Sequence, residues 1–250
     1  MKTIALITGA NQGIGLQIAK DLAAHGYTVL VGSRDLARGQ AAAQTIPGDA
    51  RPIQLDVTDQ TSVLAAGALV EKEFGRLDVL INNAAISNIS KTPEMSLLEF
   101  VQSTSASKAK LDEVRAVWET NAFGVLTVTQ VMLPLLRKST AARIVNVSSG
   151  AGSLTLNSDP AFAHRPMFGP VYPASKAAMN AITVAFAVEL EREGIKVNAV
   201  SPGFTKTNLN AFEGTETVEE GAAQAVKMAL LGADGPTGTF THATMGTLPW

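Results

Sequence analysis

The chain has 250 residues, 46% of them hydrophobic and only 17% charged, with a net charge of −2. Against a usual charged share of about 25%, this excludes wholesale disorder and implies extra burial, in a sheet covered on both faces or at a subunit interface. The small net charge gives no general attraction to nucleic acid or an anionic membrane, and zero cysteines excludes disulfides, thiolate catalysis and cysteine-ligated metals.

The opening residues MKTIALITGA contain an apolar run too short for a signal peptide. No stretch approaches the ~18 apolar residues of a membrane span. The expectation is a soluble, cytoplasmic protein. Strand-length apolar runs then alternate with helix-period segments. Lys2–Thr8 reads as a strand, Gly13–His25 as a helix, Tyr27–Gly32 as a strand and Leu36–Ile46 as a helix closed by Pro47-Gly48. Arg51–Leu55, Leu77–Ile81, Arg143–Val147, Ile195–Val200 and a short Gly238–Thr241 read as further strands, and Ser62–Phe74 as a helix. Nearly continuous apolar strands joined by helical crossovers predict a parallel sheet. The fold class expected is α/β: one doubly wound, Rossmann-type domain over residues 1–250, with helices on both faces.

Two longer helical stretches, Leu111–Leu136 and Tyr172–Glu193, carry apolar residues on more than one face. Such helices pack against the sheet and against something else, either a second subunit or covering loops of a monomer. A homo-oligomer is the slightly favoured expectation. Ile89–Lys110 and Leu154–Pro170 are polar or proline-broken and read as excursions over the surface.

The first strand ends in Thr8-Gly9-Ala10-Asn11-Gln12-Gly13-Ile14-Gly15. Gly9 suits a tight turn, Gly13 lets a pyrophosphate approach the backbone, and Gly15 lets helix and strand pack closely. The next helix points free N–H groups and its positive end at the phosphates. A Gly-rich turn alone is also an ordinary left-handed turn; its place after the first strand points to a dinucleotide.

An NAD site has an acid near the end of the second strand for the ribose 2′-OH. Here the sequence is Gly32-Ser33-Arg34-Asp35, with Ser33 in the acid's place. Arg34 and Arg38, one helical turn apart, can converge on a 2′-phosphate, which predicts NADP(H). The alternative is a solvated helix end capped by Asp35. Asp56-Val57 after the third strand and Asn82-Asn83-Ala84-Ala85 after the fourth stand where cofactor walls are expected, at the carboxyl ends of strands. Singly, each is also an ordinary cap or turn.

Tyr172 and Lys176 lie four apart, on one helix face. A phenol titrating near 10 needs help to act near neutrality, and a nearby ammonium supplies it. Ser149 ends the fifth strand and can donate to a substrate oxygen; strand alternation turns Ser148 away if Ser149 faces the site. Asn121 is a polar residue in an apolar helix and requires a partner. His25, His164 and His242 show no metal-ligand spacing, so no metal is expected. Trp118 is expected in the core, and Phe162, Met167 and Phe168 are candidates for an apolar substrate pocket. Gly203–Thr217 reads as a lid.

Together, Thr8–Gly15, Asn82–Ala85, Asn121, Ser149, Tyr172 with Lys176, and Pro202-Gly203-Phe204-Thr205 resemble the short-chain dehydrogenases/reductases, in order and over nearly the whole chain. The resemblance implies hydride transfer between NADP(H) and a carbonyl or alcohol. It assigns Tyr172 as acid–base group and makes Lys176 a ligand of the nicotinamide ribose that lowers the tyrosine pKa. Ser149 orients the carbonyl, and Asn121 holds a proton-relaying water. It also implies that Pro202, Gly203 and Thr205 flank the nicotinamide. Ser149 and Tyr172 are 23 positions apart, more than in most members. The extra segment, about residues 154–170, resembles the insertion of the monomeric carbonyl reductases and opposes the family's usual homotetramer. The reaction expected is carbonyl reduction. A 3-oxoacyl thioester reductase lacks a clear basic patch for its carrier, and a non-catalytic NADP(H) sensor has no need of all four polar groups.

Overall fold

The strands bury successive side chains on opposite faces. A computed structural model describes residues 2–92 and 94–250. Its strands are β1 (Ile4–Ile7), β2 (Thr28–Ser33), β3 (Asp49–Gln54), β4 (Val79–Asn82), β5 (Arg143–Val147), β6 (Lys196–Ser201), β7 (Phe240–His242) and β8 (Gly246–Thr247). They form one sheet in the order β3-β2-β1-β4-β5-β6-β7-β8, parallel except for β8. The order reverses direction at β1–β4, so a crevice opens beyond their carboxyl ends, where open α/β sheets bind ligands.

The helices are α1 (Gly13–Ala24), α2 (Leu36–Gln44), α3 (Gln60–Phe74), α4 (Leu97–Ser103), α5 (Leu111–Trp118), α6 (Gly124–Leu136), α7 (Leu154–Ser158), α8 (Tyr172–Leu190) and α9 (Val218–Ala229). Leu6, Leu30, Leu80, Ile144 and Val197 turn to one face and pack with Val63 and Val70 of α3, Met132 and Leu136 of α6, and Phe186 and Leu190 of α8. Their neighbours Ile7, Val31, Ile81, Val145 and Val200 turn to the other, against Ile18 and Leu22 of α1, Ala42 of α2 and Ala222 and Val226 of α9. The result is a three-layer, single-domain α/β fold.

Four details differ from the sequence expectation. The stretch 111–136 is not one helix: a π-helical turn, Glu119–Phe123, separates α5 from α6. A π turn inserts one residue into the helical ladder and redirects what it carries, here the fully buried Asn121. The excursion 89–110 contains α4, begun by a reciprocal Ser96–Glu99 capping box, and the excursion 154–170 contains α7. The helix α9 was not foreseen, although Thr217 and Glu220 form the same box at its start. Lastly, β8 adds an antiparallel strand to the edge, and Trp250 stacks on Phe240 beyond it at 5.5 Å.

Candidate functional site

The glycine turn lies in the crevice between β1 and β4. Gly9 adopts φ +63°, and a Cβ there would sit 2.9 Å from the Ala84 Cα; one on Gly15 would collide with the Asn83 amide nitrogen. At Gly13 the backbone is also left-handed (φ +56°), but the nearest atom to a Cβ is Thr207 Cγ2, 3.5 Å away. The turn is thus packed on its sheet side and roomier at Gly13. The N-cap of α1, Gln12, makes no side-chain cap, and the first turn holds no acid. Uncapped N–H groups in that setting fit a phosphate. Asn11 is half-buried and Gln12 exposed in the same turn, and Ile14 packs into the core behind it.

The walls divide into groups facing the crevice and groups bracing it. Asn83 Nδ2 donates to the Thr8 and Gly9 carbonyls at 2.9 and 3.2 Å, and Thr8 Oγ1 accepts from the Asn83 and Ala84 N–H groups. Asn83 therefore shapes the turn. Asn82 points under the sheet, donating to Asn146 Oδ1 (2.8 Å) and Thr129 Oγ1 (3.1 Å). Asp56 folds its Oδ1 onto Thr58, while Val57 packs against Gly124. At the end of β2, Ser33 is buried and donates to the Asp35 carbonyl. Asp35 caps α2 through the Arg38 N–H and faces the Arg38 guanidinium at 3.5 Å. Arg34 and Arg38 are both exposed there.

The residues expected to react meet near the carboxyl end of β5. Ser148 turns away to donate to Asn180 Oδ1 at 2.6 Å, as alternation requires. Ser149 Oγ accepts from the Ala151 N–H at 3.2 Å and lies beside the Tyr172 hydroxyl. Burial pushes the Tyr172 phenol up to about 12, and the Ser149 hydroxyl opposes that rise. One turn on, Lys176 is 1% exposed. Its Nζ donates to the Val147 carbonyl at 2.8 Å and lies 5.7 Å from the centre of the Tyr172 ring. Burial pushes it down to about 7. Asn121 closes the cluster from the π turn: Nδ2 donates to Ile86 O (2.8 Å) and Ser175 Oγ (3.0 Å), and Oδ1 accepts from the Ile86 N–H. Both of its N–H donors are thus used within the protein, and Oδ1 has one partner.

Three segments follow the carboxyl ends of β4, β5 and β6. The segment read as a lid, residues 203–217, has its ends joined by Lys206 N–H to Glu216 O and Thr215 N–H to Phe204 O. Its middle reaches the glycine turn, where Asn208 Nδ2 donates to Gln12 Oε1 at 3.2 Å, and the β4 edge, where Ser87 Oγ donates to Leu209 O at 2.7 Å. Pro202 and Gly203 stand at its neck, but Thr205 is buried and donates to Pro202 O. The second segment follows β4 and is held by the buried Glu113, which accepts from the Ile89 N–H at 2.7 Å. The third is the 154–170 stretch. These three supply the exposed Ile89, Met167, Phe168, Phe204 and Phe212. Phe212 and its neighbour Ala211 have φ of +64° and +52°, a strained backbone for side-chain-bearing residues. Among groups that sequence reasoning missed, Glu113, Ser87 and Asn208 act through contacts distant in sequence, which no local pattern reveals. Trp118, expected in the core, is half-buried and donates from its indole N–H to Pro170 O at 2.9 Å.

The sequence model described as short chain dehydrogenase matches residues 3–217. The chain is 39% identical to the short-chain dehydrogenase anuI of Penicillium roqueforti (strain FM164), over 93% of this chain and 90% of the relative. Among solved structures, it is similar to salutaridine reductase from Papaver somniferum, with a TM-score of 0.79 and 31% identity over 97% of this chain and 100% of that one. It is also similar to a 3-ketoacyl-(acyl-carrier-protein) reductase from Brucella melitensis complexed with NADH, with a TM-score of 0.78 and 26% identity over 96% of both chains.

Proposed function

This chain belongs to the short-chain dehydrogenase/reductase family, oxidoreductases acting between carbonyl and alcohol groups, and from that premise we propose that it is an NADPH-dependent reductase of apolar ketones or aldehydes, with Tyr172 as its proton donor. The observation that carries the reading is the Ser149–Tyr172–Lys176 cluster at the carboxyl edge of the sheet, beside a glycine turn whose uncapped helix fits a phosphate.

A nicotinamide bound in the crevice supplies the hydride. The protein's own groups manage the proton. Tyr172, pushed up to about 12, is a neutral phenol near pH 7 and holds its proton for the carbonyl oxygen. The Ser149 hydroxyl beside it opposes the rise of the phenol, and a bond donated from it strengthens as the phenol becomes a phenolate. The Lys176 ammonium, poised near 7, adds a positive charge close to the ring and lowers the cost of the phenolate. Asn121 keeps the Ile86 segment in register with Ser175 of α8.

Arg34 and Arg38 support NADP(H) over NAD(H). Asp35 is engaged by the α2 cap and by Arg38, which leaves Arg34 as the freer 2′-phosphate ligand. The apolar side chains around the mouth support a bulky uncharged carbonyl substrate. The 154–170 stretch is an insertion over that mouth within a single domain, 1–250. Val184, Phe123 and the 71%-exposed Val188 leave an apolar strip on α8 and the π turn, the best support for a homo-oligomer; sedimentation as a monomer at micromolar concentration would remove it.

The test is nicotinamide absorbance with NADPH and with NADH, over ketones, aldehydes and quinones of graded bulk, beside Tyr172→Phe. NADPH oxidation that depends on Tyr172 and grows with apolar bulk is expected. Equal rates with NADH would overturn the arginine assignment, and an active Tyr172→Phe would overturn the mechanism.

A further inference from the structure

The chain contains two tryptophans, and they hold opposite ends of the same segment. Residues 154–170 connect the turn that carries Ser149 to the helix that begins at Tyr172. At the near end, the Trp250 carbonyl accepts from the Thr155 N–H at 2.8 Å and from Ser153 Oγ at 3.4 Å. The Trp250 ring is stacked on the fully buried Phe240 of β7, 5.5 Å between centres and 19° between planes. At the far end, the Trp118 indole N–H donates to the Pro170 carbonyl at 2.9 Å, two residues before Tyr172.

Most of what lies between the pins is exposed, including Met167 and Phe168. What lies outside them is tight. Ser153 is fully buried and caps α7 through the Leu156 N–H. A Cβ on Gly152 would stand 2.7 Å from the Lys176 main-chain carbon, so the turn after Ser149 rests directly on α8. Beyond the far pin, Val171 is buried. A 17-residue connection free at both ends would let its flanking turns drift, and loop-closure entropy is nearly indifferent to where they settle. The Trp118 side chain on α5 and the main-chain carbonyl of Trp250, whose ring is stacked on β7, remove that freedom.

We propose that Trp118 and Trp250 are positioning residues that fix the Ser149–Tyr172 hydroxyl pair by pinning the two ends of the 154–170 segment. The proposal rests on the assignment of those two hydroxyls to the reaction. Neither indole touches the reacting atoms; each acts through the main chain that leads to one of them. A displacement of about 1 Å between reacting groups costs up to ~10²-fold in rate. Loss of one pin is therefore expected to lower kcat about tenfold.

The experiment uses the full chain with Trp118→Phe, which deletes the indole donor and keeps the ring, and Trp250→Ala, with Trp250→Phe as the conservative partner that keeps a ring to stack on Phe240. NADPH turnover of a ketone, NADPH affinity and amide exchange at Thr155 are measured together. The expected result is kcat down about tenfold in Trp118→Phe and Trp250→Ala, recovery in Trp250→Phe, NADPH affinity within about twofold of wild type, and faster exchange at Thr155 in Trp250→Ala only. Unchanged kcat despite faster Thr155 exchange overturns the proposal, because the segment is then free without consequence. A fall in NADPH affinity in step with kcat also overturns it, since the tryptophans would then support the fold at large. An active Tyr172→Phe removes the underlying assignment instead, and is recognised separately because the exchange result does not depend on it.

Discussion

Strand β5 has a buried cation at each end. At its first residue, Arg143 is 4% exposed and donates from Nε and Nη2 to the Leu231 carbonyl, just beyond α9, and from Nη1 to the Ala142 carbonyl. At its last residue, the Val147 carbonyl takes Lys176 Nζ, and Lys176 is 1% exposed. Neither belongs to an ion pair among the described residues. Burial lowers both, from very different starting points. A guanidinium starts so high that it stays charged near neutrality, and this one has three carbonyl bonds at the negative end of a helix. The ammonium has one carbonyl and a methionine sulfur at 4.0 Å, and it falls to about 7. With little exposure at either end, β5 thus carries a permanent charge that fastens α9 to the sheet and a switchable charge beside the candidate site.

The largest effect expected from that contrast is on catalysis. Lys176→Met should lower kcat/KM by about 10²–10³-fold, the cost of losing one preorganised charge beside a developing anion. Stability near pH 7 should hold within about 2 kcal/mol, because replacing an unpaired buried cation offsets the donor lost by the Val147 carbonyl. Urea unfolding beside steady-state kinetics checks both. A marked loss of stability would make Lys176 structural, like Arg143, and erase the distinction.

The switchable charge also carries a pH signature. The folded lysine titrates near 7, below its ordinary 10.5. Between those values the unfolded chain binds a proton that the folded chain lacks, so stability from this group rises with pH. The penalty is fully present below about pH 6 and is relieved as pH climbs from 7 towards 10. Wild type should gain about 2 kcal/mol relative to Lys176→Met between pH 7 and pH 9. Tyr172 acts in the opposite sense only above pH 10, outside that window. Parallel stability curves for the two proteins would mean that Lys176 is charged or neutral throughout.

Arg143→Met should show the reverse behaviour to Lys176→Met. The Leu231 carbonyl loses both of its side-chain donors while Ala142 O keeps the Lys196 N–H, and a buried orphan costs about 1–3 kcal/mol where water cannot replace the bond. A net loss near 2 kcal/mol is expected, with kcat per folded molecule unchanged, since the reacting groups sit at the other end of the strand. A fall in kcat at full occupancy of the fold would show that the two ends are coupled through β5.

How far this contrast could be read from sequence follows from what sets each feature. The glycine turn, Tyr172 with Lys176, and the turning away of Ser148 were legible because they depend on local spacing: three glycines at one turn, a helical repeat of four, a strand repeat of two. The sheet was legible for the same reason, as near-continuous apolar runs separated by helical ones. Arg143 gave no signal, because a cation at the start of an apolar strand looks like a solvated edge until α9 brings Leu231 over it. The π turn at Asn121 and the amide bonds of Asn83 were hidden similarly; their partners are 35 to 75 positions away. The helix α9 itself was different. Its Thr217–Glu220 capping box was present in the sequence and was missed because the segment before it reads as a lid.

The smallest effect is expected at Tyr27, and it tests whether Arg143 truly lacks a counter-ion. The phenol is close enough for its charge to couple with the guanidinium, yet burial raises Tyr27 above its ordinary value of 10 and outweighs the pull of Arg143. Near pH 7 it is therefore neutral and offers Arg143 no negative charge. Tyr27→Phe removes the hydroxyl and keeps the ring that packs beside the α1 core. The expected cost is within about 0.5 kcal/mol, with kinetics unchanged. A cost matching that of Arg143→Met would mean that the phenol stabilises the guanidinium after all. Arg143 would then be a partnered cation, and Lys176 alone would be a buried charge held by nothing but carbonyl and sulfur.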